Sequence, residues 1–123
     1  LELEYGSETV ENQCNSVKAA KKLFGGNEVL TRCLLSRVNS LRAAEIIRDI
    51  IKNPAYRFHD LKNKKGRNLE GLFAIDVKTR KEPWRIILQP LDENKNPYDP
   101  CNIDEISGIV RIVKISEVSN HYE

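Results

Sequence analysis

Methionine is absent from the 123 residues, tryptophan occurs once and histidine only twice. The first absence leaves the translational start open. The scarcity of histidine means that His59 and His121 are the two side chains that titrate near neutral pH without a perturbed environment. The three cysteines, Cys14, Cys33 and Cys101, are odd in number, widely spaced and in no CxxC pair, which argues against both a disulfide framework and a zinc site. Cys14 and Cys33 read instead as small buried apolar residues. No apolar run approaches the ~20 residues that cross a bilayer. The opening LELEYGSETV carries no secretion-leader profile. A cytoplasmic chain, with no membrane segment, metal or cofactor, is therefore expected. Internal repeats and low-complexity linkers are also lacking, and 123 residues are enough for one hydrophobic core but not two, which gives a single domain over residues 1–123.

What the chain does have is an uneven charge distribution. Residues 57–85 hold nine basic side chains against four acidic ones, whereas residues 1–56 hold eight against seven and residues 86–123 three against seven. The net charge of +2 thus hides a local basic field. A surface of that kind suits a polyanionic partner. Basic runs are also common as plain solvated surface, but here KNKKGR and KTRK flank one predicted strand, which favours phosphate contact.

Periodicity supplies the elements. LELEY alternates as a short strand. Ser7 caps a first helix whose inward stripe is Val10, Cys14, Val17, Ala20 and Phe24, and Gly25-Gly26 stops it. Asn27 caps a second helix with its stripe at Leu30, Leu34, Val38, Leu41, Ala44, Ile47 and Ile51, ending at Asn53-Pro54. So short a link makes the two an antiparallel hairpin. After a loop over 54–70, GLFAIDV reads as a half-buried strand with Phe73, Ile75 and Val77 inward. WRIILQP follows with Trp84, Ile86 and Leu88 on one face, and Pro90 is expected to end its pairing. Residues 92–108 are rich in Asn, Asp and Pro and read as an exposed excursion. IVRIVKISEV, strongly β-branched, is expected to be a central strand. The order β-α-α-β-β-β predicts an α+β fold, an N-terminal strand and helical hairpin packed on one face of a small, mainly antiparallel sheet.

The loop Arg57-Phe58-His59-Asp60-Leu61-Lys62, the run FAIDVKTRKEPWRIILQP and a closing strand followed by a histidine together resemble the HigB branch of the RelE/ParE superfamily, the toxins of type II toxin-antitoxin modules. The similarity covers most of the chain, because the element order matches as well. It implies a RelE/ParE-like fold and a ribosome-dependent endonuclease that cuts mRNA and is inhibited by a cognate HigA-like antitoxin. Carried over by position, it puts His59, Lys62 and His121 in the active site and Arg85 at a place where the family often contacts phosphate. The family ends its last strand with Asp-Tyr-His, whereas this chain has Ser119-Asn120-His121 followed by Tyr122. Tyr122 taking the stacking role, Glu117 supplying the carboxylate, and weakened activity are the three ways to read that departure.

The residues themselves fit metal-free RNA cleavage. The ribose 2′-hydroxyl must lose a proton, the leaving 5′-oxygen must gain one, and cations must offset charge on the phosphate. Histidine suits either proton role, and Arg57, Lys64, Lys65, Arg67, Arg80 and Arg85 are the candidates for phosphate binding. Trp84 and Phe73 read as core rather than stacking platforms, while Tyr98 and Tyr122 are the candidates for stacking a base. By residue type alone, a loop histidine such as His59 is more often a surface group, and His121 lies where chains fray. Two other functions compete. One is a ParE-like topoisomerase inhibitor, which needs no acid–base pair, and the other is a catalytically silent module that binds RNA or an antitoxin.

Overall fold

The computed structural model describes residues 1–61 and 68–122, so Lys62, Lys64, Lys65 and Arg67 lie outside the described residues. The elements run β1 (Glu2–Tyr5), α1 (Glu8–Asn15), α2 (Val17–Leu23), α3 (Glu28–Ala43), α4 (Ile47–Ile51), β2 (His59–Asp60), β3 (Phe73–Asp76), β4 (Arg85–Leu91), α5 (Ile103–Ile106) and β5 (Ile112–Ser119). One five-stranded sheet has the order β1-β5-β4-β3-β2; β1 lies parallel to β5 and every other pair is antiparallel. This is the expected α+β arrangement. The hydrophobic core lies between the helices and one face of the sheet, where Leu34, Val38 and Leu41 of α3 meet Ile75, Ile86, Val113 and Ile115. No helix among the described residues is long and apolar enough to cross a membrane.

Both long helices break where uninterrupted ones were expected. Ser16 leaves helical geometry (φ −129°, ψ 124°) and its hydroxyl accepts from the Ala19 amide, so a serine that competes with the backbone caps a new helix. The restart turns Val17 outward, to 63% exposure, and removes it from the expected stripe. The second break follows α3. Glu45 and Ile46 donate their amides to the Asp49 carboxylate, which holds that carboxyl below its ordinary pKa, and Ile47 and Arg48 donate to the carbonyls of Val110 and Ser107. The interruption shifts the inward positions of α4 to Ile47 and Ile50, leaving Ile51 only half-buried. Gly25 and Gly26, with φ of 61° and 91°, end α2 as expected, because L-residues rarely hold that conformation.

Three further expectations change on the sheet side. Pairing does not stop at Pro90, which sits opposite Val113 with Leu91 still in register against Ile112. The segment 92–108 is not all excursion: it contains α5, and Tyr98, Ile103 and Ile106 pack against the core. Strand β3 is buried along its whole length rather than half-buried, because Ala74 is covered by a second apolar cluster and Asp76 by two arginines. Trp84 meets Phe24 edge-on at 4.9 Å and Phe73 stacks on Phe58 at 5.0 Å, so both belong to the packed interior as read.

A bulge decides which face the end of β5 presents. Ile87 pairs with Glu117 and Leu88 with Ile115, which leaves Ser116 as the extra residue. Val113 and Ile115 point into the helical core, and after the bulge Val118 does so while Glu117 and Ser119 take the opposite face. Gly6 packs against this point: a methyl group on it would lie against the Ser116 carbonyl oxygen, well inside van der Waals contact. Gly6→Ala is therefore expected to destabilise the protein by about 1–3 kcal/mol. The check is a urea titration; a midpoint unchanged from wild type would show that the bulge can yield.

Burial also sets the chemistry of the cysteines. Cys14, 2% exposed, has its thiol pushed up to about 12 by desolvation, with Arg42 opposing weakly. In the unfolded chain it ionises near 9.0, so the unfolded state binds fewer protons above that pH and stability falls as pH rises from about 9 towards 12. Alkylation of the native protein at neutral pH should accordingly spare Cys14 and modify the half-buried Cys33 and Cys101 first. Mass spectrometry of the labelled chain reads the order directly.

Candidate functional site

The sheet face turned away from the helices carries His59, Arg85 and Tyr122. Antiparallel partners point to the same side, so the register His59↔Ala74↔Ile87↔Glu117 forms one row across four strands and Asp76↔Arg85↔Ser119 the next. Ala74 and Ile87 form the floor of the first row with Leu61, Leu69 and Tyr122, the second apolar cluster. His59 and Glu117 stand at opposite ends of that row, three strand spacings or roughly 14 Å apart at Cα.

The second row is anchored by Asp76, which is 2% exposed. Arg57 grips it with a fork, Nη2 to Oδ1 at 2.9 Å and Nε to Oδ2 at 3.0 Å, and the Nε of Arg85 lies 3.2 Å from Oδ1. Arg85 is itself 2% exposed, and its remaining donors point into the 79–84 turn, reaching the carbonyls of Arg80 at 3.0 Å, Trp84 at 2.9 Å and also Glu82. This corrects the reading of Arg85 as a phosphate contact. A guanidinium held inside the protein by a carboxylate and a ring of carbonyls organises the turn and has no surface to offer a polyanion. Arg57 is likewise engaged with Asp76, with 30% of its side chain exposed. Arg80 is exposed on the turn between Lys78 and Lys81, also exposed, and of the described phosphate-binding candidates it is the accessible one. Arg37 braces the same corner, donating to the Asp76 carbonyl at 3.2 Å and lying 4.7 Å over the Tyr56 ring.

His59 is half-buried on β2, with Nδ1 2.6 Å from the Arg57 carbonyl oxygen. A carbonyl oxygen can only accept, so Nδ1 carries the hydrogen and the lone pair of the neutral ring is on Nε2. His121 is placed differently. It follows the end of β5 and is exposed, its backbone amide donating to Ser119 Oγ at 3.0 Å. Beside it, Tyr122 packs back onto the sheet, while His121 is not part of the second apolar cluster. A side chain just past the end of a strand needs an apolar floor to return to, and the phenol ring has one where the imidazole does not.

Tyr122 is 7% exposed and packed in the second cluster, which corrects its reading as a platform for a base, since stacking requires an open ring face. Its hydroxyl donates instead to the Glu117 carboxylate. The bulge that turned Glu117 to this face is what makes the bond possible. In the sequence, the signal for it is the change of apolar parity from Val113 and Ile115 to Val118. Tyr98, the other stacking candidate, lines a cleft of about 270 Å³ with Glu70, Gln89, Asp99 and Cys101. Burial above all, with Asp60 and Glu70 nearby, raises the Cys101 thiol above its ordinary pKa, and the carboxylates of Glu70 and Asp99 in its lining make the cleft a poor fit for RNA. Neither histidine lines it.

Among the described residues no cluster of His, Cys, Asp or Glu is arranged to hold a metal ion. Among the described residues the polar face offers an oriented imidazole and a carboxylate–phenol pair, with exposed cations on the 77–84 turn. No family model matches the chain, and neither a curated protein nor a solved structure is significantly similar to it, so what this face does is argued from its own residues.

Proposed function

We propose that the chain is a type II toxin of the HigB kind, a ribosome-dependent mRNA endonuclease with the RelE/ParE-like topology, acting in the cytoplasm and neutralised by a HigA-like antitoxin. The observation that carries the reading is His59, whose ring is held on the polar sheet face with its proton on Nδ1 and its basic nitrogen, Nε2, defined. A general base requires a defined lone pair. In the proposed reaction Nε2 takes the proton of the ribose 2′-hydroxyl as that oxygen bonds to phosphorus. The bond from phosphorus to the 5′-oxygen then breaks, the departing oxygen takes a proton from water, and a 2′,3′-cyclic phosphate remains. Lys62, Lys64, Lys65 and Arg67 follow His59 directly in sequence and supply cations for the phosphate, joined by Arg80.

The test is induction of the wild-type protein in bacteria, with the ends of ribosome-bound transcripts mapped by primer extension. Translation should stop as new ends appear inside coding sequences. Intact transcripts with arrested DNA replication would replace this reading with topoisomerase inhibition. Normal growth with a tightly retained partner would replace it with the silent binding module, which the buried Arg85 and Tyr122 favour, because they remove two expected groups from one RNA site.

A further inference from the structure

Asp76 does more than satisfy two cations. Burying a carboxylate is costly unless partners are held against it, and Asp76 is 2% exposed, so the Arg57 fork on its oxygens is a structural member rather than a surface pair. Arg57 caps the Pro54–Tyr56 turn in the left-handed region, φ 49° and ψ 53°, which residues other than glycine seldom occupy, and the fork holds its side chain from there. In that conformation the Arg57 carbonyl faces Nδ1 of His59, two residues on, at 2.6 Å. Asp76 also forms part of β3, the strand on which β2 and His59 pair, so the ring and the clamp share one rigid frame.

We propose that Asp76 is a positioning residue which, through the Arg57 guanidinium and then the Arg57 carbonyl, holds His59 in the Nδ1–H tautomer with Nε2 as its proton-accepting nitrogen. The effect on cleavage rests on the endonuclease reading; the effect on the tautomer does not. Arg85 meets Oδ1 of the carboxylate from the other side, its Nε at 3.2 Å, and ties the device to the 79–84 turn.

The experiment measures the imidazole nitrogen-15 resonances of the whole protein at a pH of ~8.5, where an ordinary histidine is neutral. With two histidines in the chain, a His121→Asn background assigns the spectrum. Wild type should show one protonated nitrogen on His59, at Nδ1. Arg57→Gln removes the fork but leaves the Asp76–Arg85 pair in the interior, so it is the variant that stays folded. It should give a mixture of the two tautomers at His59, and transcript cleavage should fall on the order of 10²-fold, as for a displaced acid–base group. Asp76→Asn, if it folds, should do the same, and Arg57→Lys, which restores charge without the fork, should rescue only in part. A wild-type tautomer signature retained in Arg57→Gln overturns the proposal. If the tautomer shifts but the wild type cuts no RNA, only the endonuclease reading fails. If the wild type cuts RNA and the tautomer does not shift, only the positioning role fails.

Discussion

Replacing Asp76 with alanine is expected to cost about 3–5 kcal/mol, the range for removing one partner of a buried ion pair. The loss exceeds that of an ordinary core truncation to a methyl group because of what stays behind. Arg85 is 2% exposed and cannot swing out to water, being threaded through the carbonyls of the 79–84 turn, so its charge would remain inside without a carboxylate. Arg57, 30% exposed, has an easier escape. Arg57→Ala should accordingly cost distinctly less than Asp76→Ala. Against a typical total stability of ~5–15 kcal/mol, the Asp76 variant sits near the edge of folding. Chemical denaturation of the variants, with Arg85→Met added to Asp76→Leu as a double replacement, separates the cost of the unpaired charge from the value of the pair. The double variant should recover most of the loss. A fall of under ~1 kcal/mol for Asp76→Ala would mean that the arginines find water or other acceptors, and the account of the second row would be wrong.

The second large effect is an asymmetry between the histidines. His59→Ala should lower transcript cleavage on programmed ribosomes by about 10²–10⁴-fold, the usual contribution of a positioned general acid or base. His121→Ala should change it by less than about tenfold, because an exposed imidazole beyond the end of β5 is not oriented for proton transfer. Tyr122→Phe, which keeps the ring in the second cluster but drops the bond to Glu117, belongs between the two. Single-turnover rates are the measure. Equal losses at His59 and His121 would restore the paired-histidine mechanism and discard the row of His59, Ala74, Ile87 and Glu117 as the working geometry.

Much of the frame is legible along the chain because it is written in local terms. The alternation of Trp84, Ile86 and Leu88 against Arg85 and Ile87 describes how β4 divides its side chains between the two faces. The glycines at 25 and 26 mark the hairpin, and Asn27 marks the start of α3 through its own bond to the Leu30 amide. The helix breaks were readable in principle: Ser16 and Asp49 each accept backbone hydrogen bonds a few residues away, a competition that hydrophobic periodicity does not register.

The site is less legible, and Asp76 and Arg85 show why. A lone carboxylate between Ile75 and Val77 hints at a buried partner, since the interior does not accept it otherwise. Nothing along the chain says that the partner is Arg57, 19 residues earlier, or that Arg85 closes the pair from the next strand. From sequence, Arg85 is one more positive charge in a basic stretch; in the sheet it is the charge least available to RNA. The imidazoles teach the same lesson in reverse, being alike in composition and set apart by packing.

The order of residues by itself determined the α+β class, four of the five strands and the concentration of positive charge over 57–85, because each depends on spacing or on local bonds, whereas β2 formed within the segment read as a loop. Only the tertiary structure decided that Asp76 draws two arginines inward, that a bulge at Ser116 turns Glu117 to the polar face, and that Tyr122 rather than His121 returns to it. Those outcomes depend on which groups meet across strands, and a buried charge or an apolar floor selects its partner by proximity in space, which residue order does not encode locally.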